Sequence, residues 1–128
     1  TVTAAISLTS TDLLSDNLAV SVNTSITAAN TTGLARRPVT ATAVHADATT
    51  LFTASDFSAP AYLYIKNTDS TATDYIYVYD DTTSGDPVIL KLAGGDWAFM
   101  PLNAGLTLKA YATTNPTVVE FMVFGTDA

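Results

Sequence analysis

The fold is indicated by two stretches of sequence, Tyr62-Leu63-Tyr64-Ile65-Lys66 and Tyr75-Ile76-Tyr77-Val78-Tyr79. In both, tyrosine alternates with an aliphatic residue, and this period of two is typical of a β-strand with one face turned toward a core. Residues 67–74 between them are mostly polar, as in a turn. The sequence therefore predicts an antiparallel hairpin with its aliphatic side chains in the core and its five tyrosines on one outer face.

The rest of the chain continues this alternation of short apolar runs and turn residues. Further strands are expected at 4–8, 18–22, 39–44, 50–53, 88–92, 97–101, 106–111 and 118–124. One helical turn is expected after Ser10, and Arg36-Arg37-Pro38 is expected to interrupt regular structure, because proline lacks the backbone donor of a sheet. We predict an all-β fold, an antiparallel β-sandwich of jelly-roll type with about eight to ten short strands.

The composition supports an all-β fold. The chain contains 23 threonines, which favour strands, and 11 aspartates against one glutamate. Aspartate favours turns, whereas the scarce glutamate, lysine and arginine are the usual residues of exposed helix faces. At 128 residues, the chain is expected to form one domain. Residues 1–35 are expected to form an N-terminal arm with the first strands, packed on the domain or on a neighbouring subunit, and residues 36–128 the sandwich core.

Charge and residue usage exclude several functions. Twelve acidic residues against five basic ones give a net charge of −7, which argues against a nucleic-acid partner. The absence of cysteine excludes thiol catalysis and thiolate metal sites. No apolar run approaches the roughly 20 residues of a membrane-spanning helix, so we expect no membrane partner.

No catalytic, cofactor-binding or metal-binding residues are predicted. His45 is the only histidine, and no Gly-x-Ser-x-Gly motif accompanies it. The loop containing Asp80, Asp81 and Asp86 has oxygen ligands of the kind that calcium uses, but it lacks an EF-hand pattern. We therefore interpret these aspartates as turn residues and expect no enzymatic activity.

The tyrosines form the most prominent candidate contact surface: Tyr62, Tyr64, Tyr75, Tyr77 and Tyr79. Two interpretations remain open. The first is simple sheet packing beneath a covering loop. The second is an interface, because tyrosine combines a large contact area with a hydroxyl group. A platform for sugar rings would use the same residue types, with Trp97 as an additional member.

The stretch 118–124 contains further interface candidates. Its alternation places Glu120, Met122 and Phe124 on one face and Val119 on the other, so both faces are largely apolar. A strand that is apolar on both faces is covered on both, here by a second sheet and by another element such as a neighbouring chain. Glu120 either pairs with a base, from the set Lys91, Lys109, Arg36 and Arg37, or discourages pairing at a sheet edge.

Three segments, 94–101, 106–110 and 119–125, resemble the small β-sandwich virion proteins of tailed bacteriophages. In that family, a lysine-leucine, glycine-acid, aromatic and proline segment precedes a last strand of the form valine, glutamate, aromatic, hydrophobic, phenylalanine. The resemblance extends over about residues 60–125. It implies a non-enzymatic capsid decoration (cement) protein that binds the assembled shell as a homo-oligomer and stabilises it.

The same resemblance implies the partners and the location. The partners are the major capsid protein or other virion proteins, and the location is the virion, assembled in the host cytoplasm. Arg36 and Arg37 either form ion pairs with an acidic capsid surface or mark a solvated turn. Two alternatives are a tail, neck or fibre component, and a carbohydrate-binding module in which Tyr62, Tyr64, Tyr77 and Trp97 stack on sugar rings.

Overall fold

The computed structural model describes residues 1–42, 47–53, 55–82, 85–103, 105–114 and 117–127. These residues form three antiparallel β-sheets and no α-helix, which confirms the all-β prediction. The strands are β1 Val2–Ser10, β2 Leu18–Ile26, β3 Asn30–Thr31, β4 Ala35–Val39, β5 Thr49–Phe52, β6 Phe57–Asn67, β7 Ile76–Asp80, β8 Val88–Leu92, β9 Trp97–Leu102, β10 Leu108–Ala112 and β11 Thr117–Asp127. His45 and the end of the strand expected at 39–44 lie outside the described residues.

Two of the sheets form the body of the molecule. The five-stranded sheet has the order β3-β11-β6-β9, with β4 also paired to β11, and the four-stranded sheet has the order β5-β10-β7-β8. Four of the strand pairs are nested in sequence: β7 with β8, β6 with β9, β5 with β10, and β4 with β11. In the sequence, the two strands of each outer pair therefore lie on either side of the pair inside it.

The two sheets share one hydrophobic core. Leu63 and Ile65 of β6 and Ile76 and Val78 of β7 are fully buried, as their alternation with tyrosine predicts. They join the buried side chains of Val39, Leu51, Phe52, Phe57, Ala61, Leu92, Leu102, Leu108, Ala110, Ala112, Val119, Phe121 and Val123 in a single cluster. Burial of inward-facing residues from both sheets gives the body a sandwich-like arrangement.

The predicted hairpin of β6 and β7 is wrong. β6 pairs with β11 and β9, and β7 pairs with β10 and β8, so the two strands lie in opposite sheets. The connection after β6 crosses between the sheets at buried Asn67, whose side-chain amide donates to the carbonyl oxygens of Asp74 (2.7 Å) and Leu92 (3.0 Å). The loop after β8 packs closely there, because a Cβ atom on Gly94 would clash with the carbonyl oxygen of Thr71.

The segment around Arg36 and Arg37 is a strand, although the sequence predicts an interruption there. β4 pairs with one edge of β11, with Arg36 opposite Glu120 and Pro38 opposite Val118. The sheet order places no further strand beyond β4, and proline is tolerated in an edge strand because no neighbour requires its missing N–H.

The N-terminal arm folds as a hairpin of β1 and β2, which form a separate sheet among the described residues and pair over nine residue pairs, from Val2 with Ile26 to Ser10 with Leu18. We call residues 1–26 the N-terminal hairpin. Its connection contains bends instead of the helical turn expected after Ser10. The Ser10 hydroxyl oxygen accepts a hydrogen bond from the backbone N–H of Leu13 (3.0 Å), which is sufficient to close this turn locally.

Candidate interaction surface

The outer face of the five-stranded sheet carries three rows of side chains, because directly opposite residues share a face. The first, which we call the Trp97 row, contains Arg36, Glu120, Lys66 and Trp97. The second contains Met122, Tyr64 and Phe99, and the third contains Phe124, Tyr62 and Pro101. The face is therefore charged along one row and apolar along the other two.

Three aromatic rings pack together on the two apolar rows. The ring centroid of Tyr62 lies 5.6 Å from that of Phe124 and 6.1 Å from that of Phe99, both in stacked geometry. Phe99 and Phe124 are also stacked, with centroids 6.2 Å apart. Offset stacks of this kind stabilise a sheet face beyond the area that they bury. Tyr62 is thus held within a packed cluster.

Glu120 forms the polar centre of this face. The Arg36 guanidinium donates to the Glu120 carboxylate at 2.7 Å, and the Tyr64 hydroxyl donates to its other oxygen at 3.0 Å. These hydrogen bonds, that from Arg36 above all, lower the pKa of Glu120. Burial, with a further contribution from the bond to Glu120, raises the pKa of the Tyr64 hydroxyl. Of the predicted partners of Glu120, the structure therefore selects Arg36. The alternative of an edge acid is wrong because β11 lies between β4 and β6.

Arg37 makes different contacts from Arg36. Its Nη1 donates to the carbonyl oxygen of Thr50 at 2.6 Å, and its guanidinium lies 5.7 Å from the centre of the Phe121 ring. These contacts hold Arg37 against the body, whereas the Arg36 side chain is 70% exposed beside Glu120.

The N-terminal hairpin covers part of the aromatic face. Val2, Ala4 and Ile6 alternate with exposed residues and are half-buried. They line a cleft of about 240 Å³ whose other wall contains Tyr64, Trp97, Phe99, Met122 and Phe124. The second cover expected for the strand at 118–124 is therefore supplied, over Met122 and Phe124, by the chain's own arm.

The apolar face of the hairpin continues beyond this cover. Leu8 pairs with Val20 on the same face as Ile6 and Val22. Leu8, Val20 and Val22 are 54%, 38% and 59% exposed, and Leu13 and Leu14 in the connecting turn are also exposed. We call Leu8, Val20, Leu13 and Leu14 the distal stripe.

The other predicted tyrosines lie on the opposite side of the molecule. Tyr77 of β7 stacks on Tyr111 of β10 with centroids 5.1 Å apart, and Tyr75 lies beneath Lys91, whose Nζ is 4.2 Å from its ring centre. Tyr79 is fully buried, and burial is the main cause of its raised pKa, ahead of the nearby carboxylates of Asp81 and Asp86.

The five tyrosines therefore do not form one surface. Tyr62 and Tyr64 belong to the five-stranded sheet, and Tyr75, Tyr77 and Tyr79 lie beside or within the four-stranded sheet. A sugar platform made of Tyr62, Tyr64, Tyr77 and Trp97 is excluded, because Tyr77 lies on the face opposite to the others.

The aspartates of the 80–86 loop are engaged in local contacts. The Asp80 carboxylate accepts from the backbone N–H of Thr82 (2.8 Å), and Asp81 lies 3.0 Å from the Nζ of Lys109. Among the described residues, no group of three or more His, Cys, Asp or Glu side chains is placed to hold a metal ion. The observed contacts are those of turn residues.

Two parts of this surface were missed from the sequence. The sequence predicts Phe99 only as part of a strand, and its place in the aromatic cluster follows from the pairing of β9 with β6. The distal stripe follows from the pairing of β1 with β2. The signal in the sequence is the alternation of Val2, Ala4, Ile6 and Leu8, which together with that of 18–22 is typical of two amphipathic strands.

Comparisons with protein-family models, curated proteins and solved structures find no match to this chain. In the part of the chain that the structure describes, no helix has the length and apolar character needed to cross a membrane.

Proposed function

We propose that this chain is a structural protein of a phage particle, specifically a capsid decoration protein that binds the assembled shell as a homo-oligomer. The observation that carries the proposal is the N-terminal hairpin, whose apolar face is left exposed at Leu8, Val20 and Val22. Exposed apolar sheet faces of this kind are typical of contact surfaces.

The strand order supports the proposal. The nested pairs β4–β11, β5–β10, β6–β9 and β7–β8 are those of a long two-stranded ribbon that is rolled into two sheets. We therefore interpret the sandwich as a jelly roll, an architecture that recurs in viral capsid and lectin domains. This support is an analogy of fold, and the hairpin supplies the argument from a site.

A decoration protein stabilises a shell by mass action, because it binds assembled capsomers and not separated subunits. The exposed Arg36 guanidinium offers a contact for an acidic partner, and the net charge of −7 disfavours contact with packaged DNA. The proposed partners are accordingly the major capsid protein or other virion proteins, and the proposed location is the virion.

The test is a binding experiment with shells that lack the protein. The purified chain is mixed with assembled shells and, separately, with unassembled capsid subunits, and both mixtures are sedimented. We expect saturable binding to the shells alone, together with a higher temperature of shell disruption. If the chain leaves shells unbound and electron microscopy places it on the tail, neck or fibre, the decoration proposal is wrong and the alternative virion role is supported.

A further inference from the structure

The N-terminal hairpin has a chemical character that the rest of the chain lacks. Asp12 and Asp16, both in its turn, are the only charged side chains in residues 1–34. The distal stripe next to them consists only of leucine and valine. A binding surface for the end of this hairpin must therefore combine an apolar area with positive charge.

The Trp97 row has that combination. Trp97 is 55% exposed, although tryptophan is a residue typical of interface centres. Arg36, Lys66 and Glu120 beside it leave one positive charge in excess, in a chain whose net charge is −7. The basal half of the hairpin covers the neighbouring aromatic rows, and Trp97 marks the border of that cover.

We propose that the distal stripe of one copy docks on the Trp97 row of a second copy, with Asp12 and Asp16 near Lys66 and Arg36. This inference deepens the proposed function, on which its biological setting rests, by naming the surfaces through which the homo-oligomer forms. A second copy is the occupant because its hairpin complements this row in charge. In addition, the same sheet face already lies opposite Val2, Ala4 and Ile6 of the same hairpin, across a shared cleft within one subunit.

The hairpin end is short enough to lie on the Trp97 row. The Trp97 row crosses four strands, β4, β11, β6 and β9, and three strand spacings make it about 14 Å wide. The uncovered end of the hairpin, residues 7–10 of β1 and its partners on β2, spans three residue steps and is about 10 Å long at the usual rise of a strand, so it fits within the length of the row. Because the two surfaces differ, both surfaces of every copy are occupied either in a reciprocal dimer or in a closed ring.

The first test measures self-association of the full chain by sedimentation velocity and light scattering over a wide range of concentration. The test variant is Leu8→Asp with Val20→Asp. The matched control is Ser7→Asp with Ser21→Asp, which adds the same charge to the directly paired residues on the opposite, polar face of the same hairpin. We expect the wild type and the control to associate, and the Leu8/Val20 variant to associate about a hundredfold more weakly or more. Circular dichroism checks that all three are folded.

The second test exchanges charges across the contact. Lys66→Asp is expected to weaken association about tenfold, as is Asp12→Lys, and a mixture of the two single variants is expected to recover it in part. A wild-type chain that stays monomeric at every concentration overturns the inference, as does an equal effect of the Leu8/Val20 variant and its control.

The shell-binding assay separates this inference from the proposed function. A chain that associates through these surfaces but leaves shells unbound supports the inference and contradicts the decoration role. A monomeric chain that binds shells supports the decoration role without the homo-oligomer, and it overturns the inference.

Discussion

The body and the N-terminal hairpin are built from the same alternation of apolar and polar residues, but they differ in how the apolar side is covered. Leu63 in the body is fully buried between two sheets, whereas Leu8 in the hairpin is 54% exposed. Both residues lie in paired strands whose successive side chains alternate between two faces. Alternation thus determines which residues share a face, and the wider topology determines whether that face is covered.

The difference also concerns stability. A two-stranded hairpin by itself is marginal in water, whereas a sandwich with a shared core is stable without help. The basal half of the hairpin gains its cover from the aromatic face of the five-stranded sheet, whereas none of the residues that the structure describes covers the distal half in the same way. The hairpin is therefore the region whose order depends most on what binds to it.

The largest expected difference between the two regions comes from the same truncation made in each. Leu63→Ala is expected to lower the free energy of unfolding by about 3 kcal/mol, because it removes buried methyl groups and leaves a cavity. Leu8→Ala is expected to change it by about 0.5 kcal/mol or less, because the side chain is already half in water. Urea unfolding followed by tryptophan fluorescence measures both values. Similar losses for the two variants would contradict the distinction between a covered and an uncovered face.

An intermediate effect on stability is expected from the substitution of a buried asparagine. Asn67→Ala removes a buried amide that hydrogen-bonds the carbonyl oxygens of Asp74 and Leu92 and accepts from the backbone N–H of Asp69. Because those backbone groups are left without hydrogen-bond partners, the free energy of unfolding is expected to fall by about 2 kcal/mol. The matched change in the hairpin, Asn23→Ala, affects an exposed residue of the polar face and is expected to be nearly neutral. Thermal unfolding of the two variants measures the contrast, and an equal loss would show that Asn67 has no special role.

The smallest effect on stability is expected at Glu120, whose ion pair with Arg36 joins β11 to β4 on the outer face of the body. Because hydrogen bonds from Arg36 and Tyr64 lower its pKa in the folded state, Glu120 stabilises the fold fully above the ordinary pKa of a glutamate. This contribution is lost as the pH falls through the lowered pKa. We expect Glu120→Gln to have a slightly lower melting temperature than the wild type at neutral pH.

The control for Glu120 is the melting temperature of the wild type and of the Glu120→Gln variant at acid pH. Below the lowered pKa both side chains are uncharged, so the two melting temperatures should converge there. A constant difference across the whole range would show that the lowered pKa makes no contribution.

The burial of many residues in the body was predictable, because the local alternation of residue types indicates which side chains face the core. The burial of Leu63, Ile65, Ile76 and Val78 follows from their alternation with tyrosine, and the pairing of Glu120 with Arg36 was among the predicted options. The partner strands of β6 were not predictable, because β9 and β11 are brought to it by long-range pairing.

The failures at the candidate surface have the same origin. The tyrosine patch was assigned to one face because its two strands are adjacent in sequence, and the aromatic cluster around Phe99 was missed because its members are distant. The exposure of the distal stripe depends on how far the five-stranded sheet extends beneath the hairpin, which the sequence of the hairpin does not specify. Each feature depends on contacts between segments that no local pattern specifies.

The nested order of strand pairs has a consequence for the order of folding. The pairs become more distant in sequence from β7–β8 outward to β4–β11, and loop closure makes such distant pairings slow. The hairpin of β1 and β2 spans a short local connection, and hairpins of this kind form within about 1–10 μs. During synthesis, the hairpin can therefore form long before β11 is available to complete the sheet beneath it. In that interval the whole apolar face of the hairpin is uncovered, so aggregation in the nascent chain is expected to begin at this hairpin.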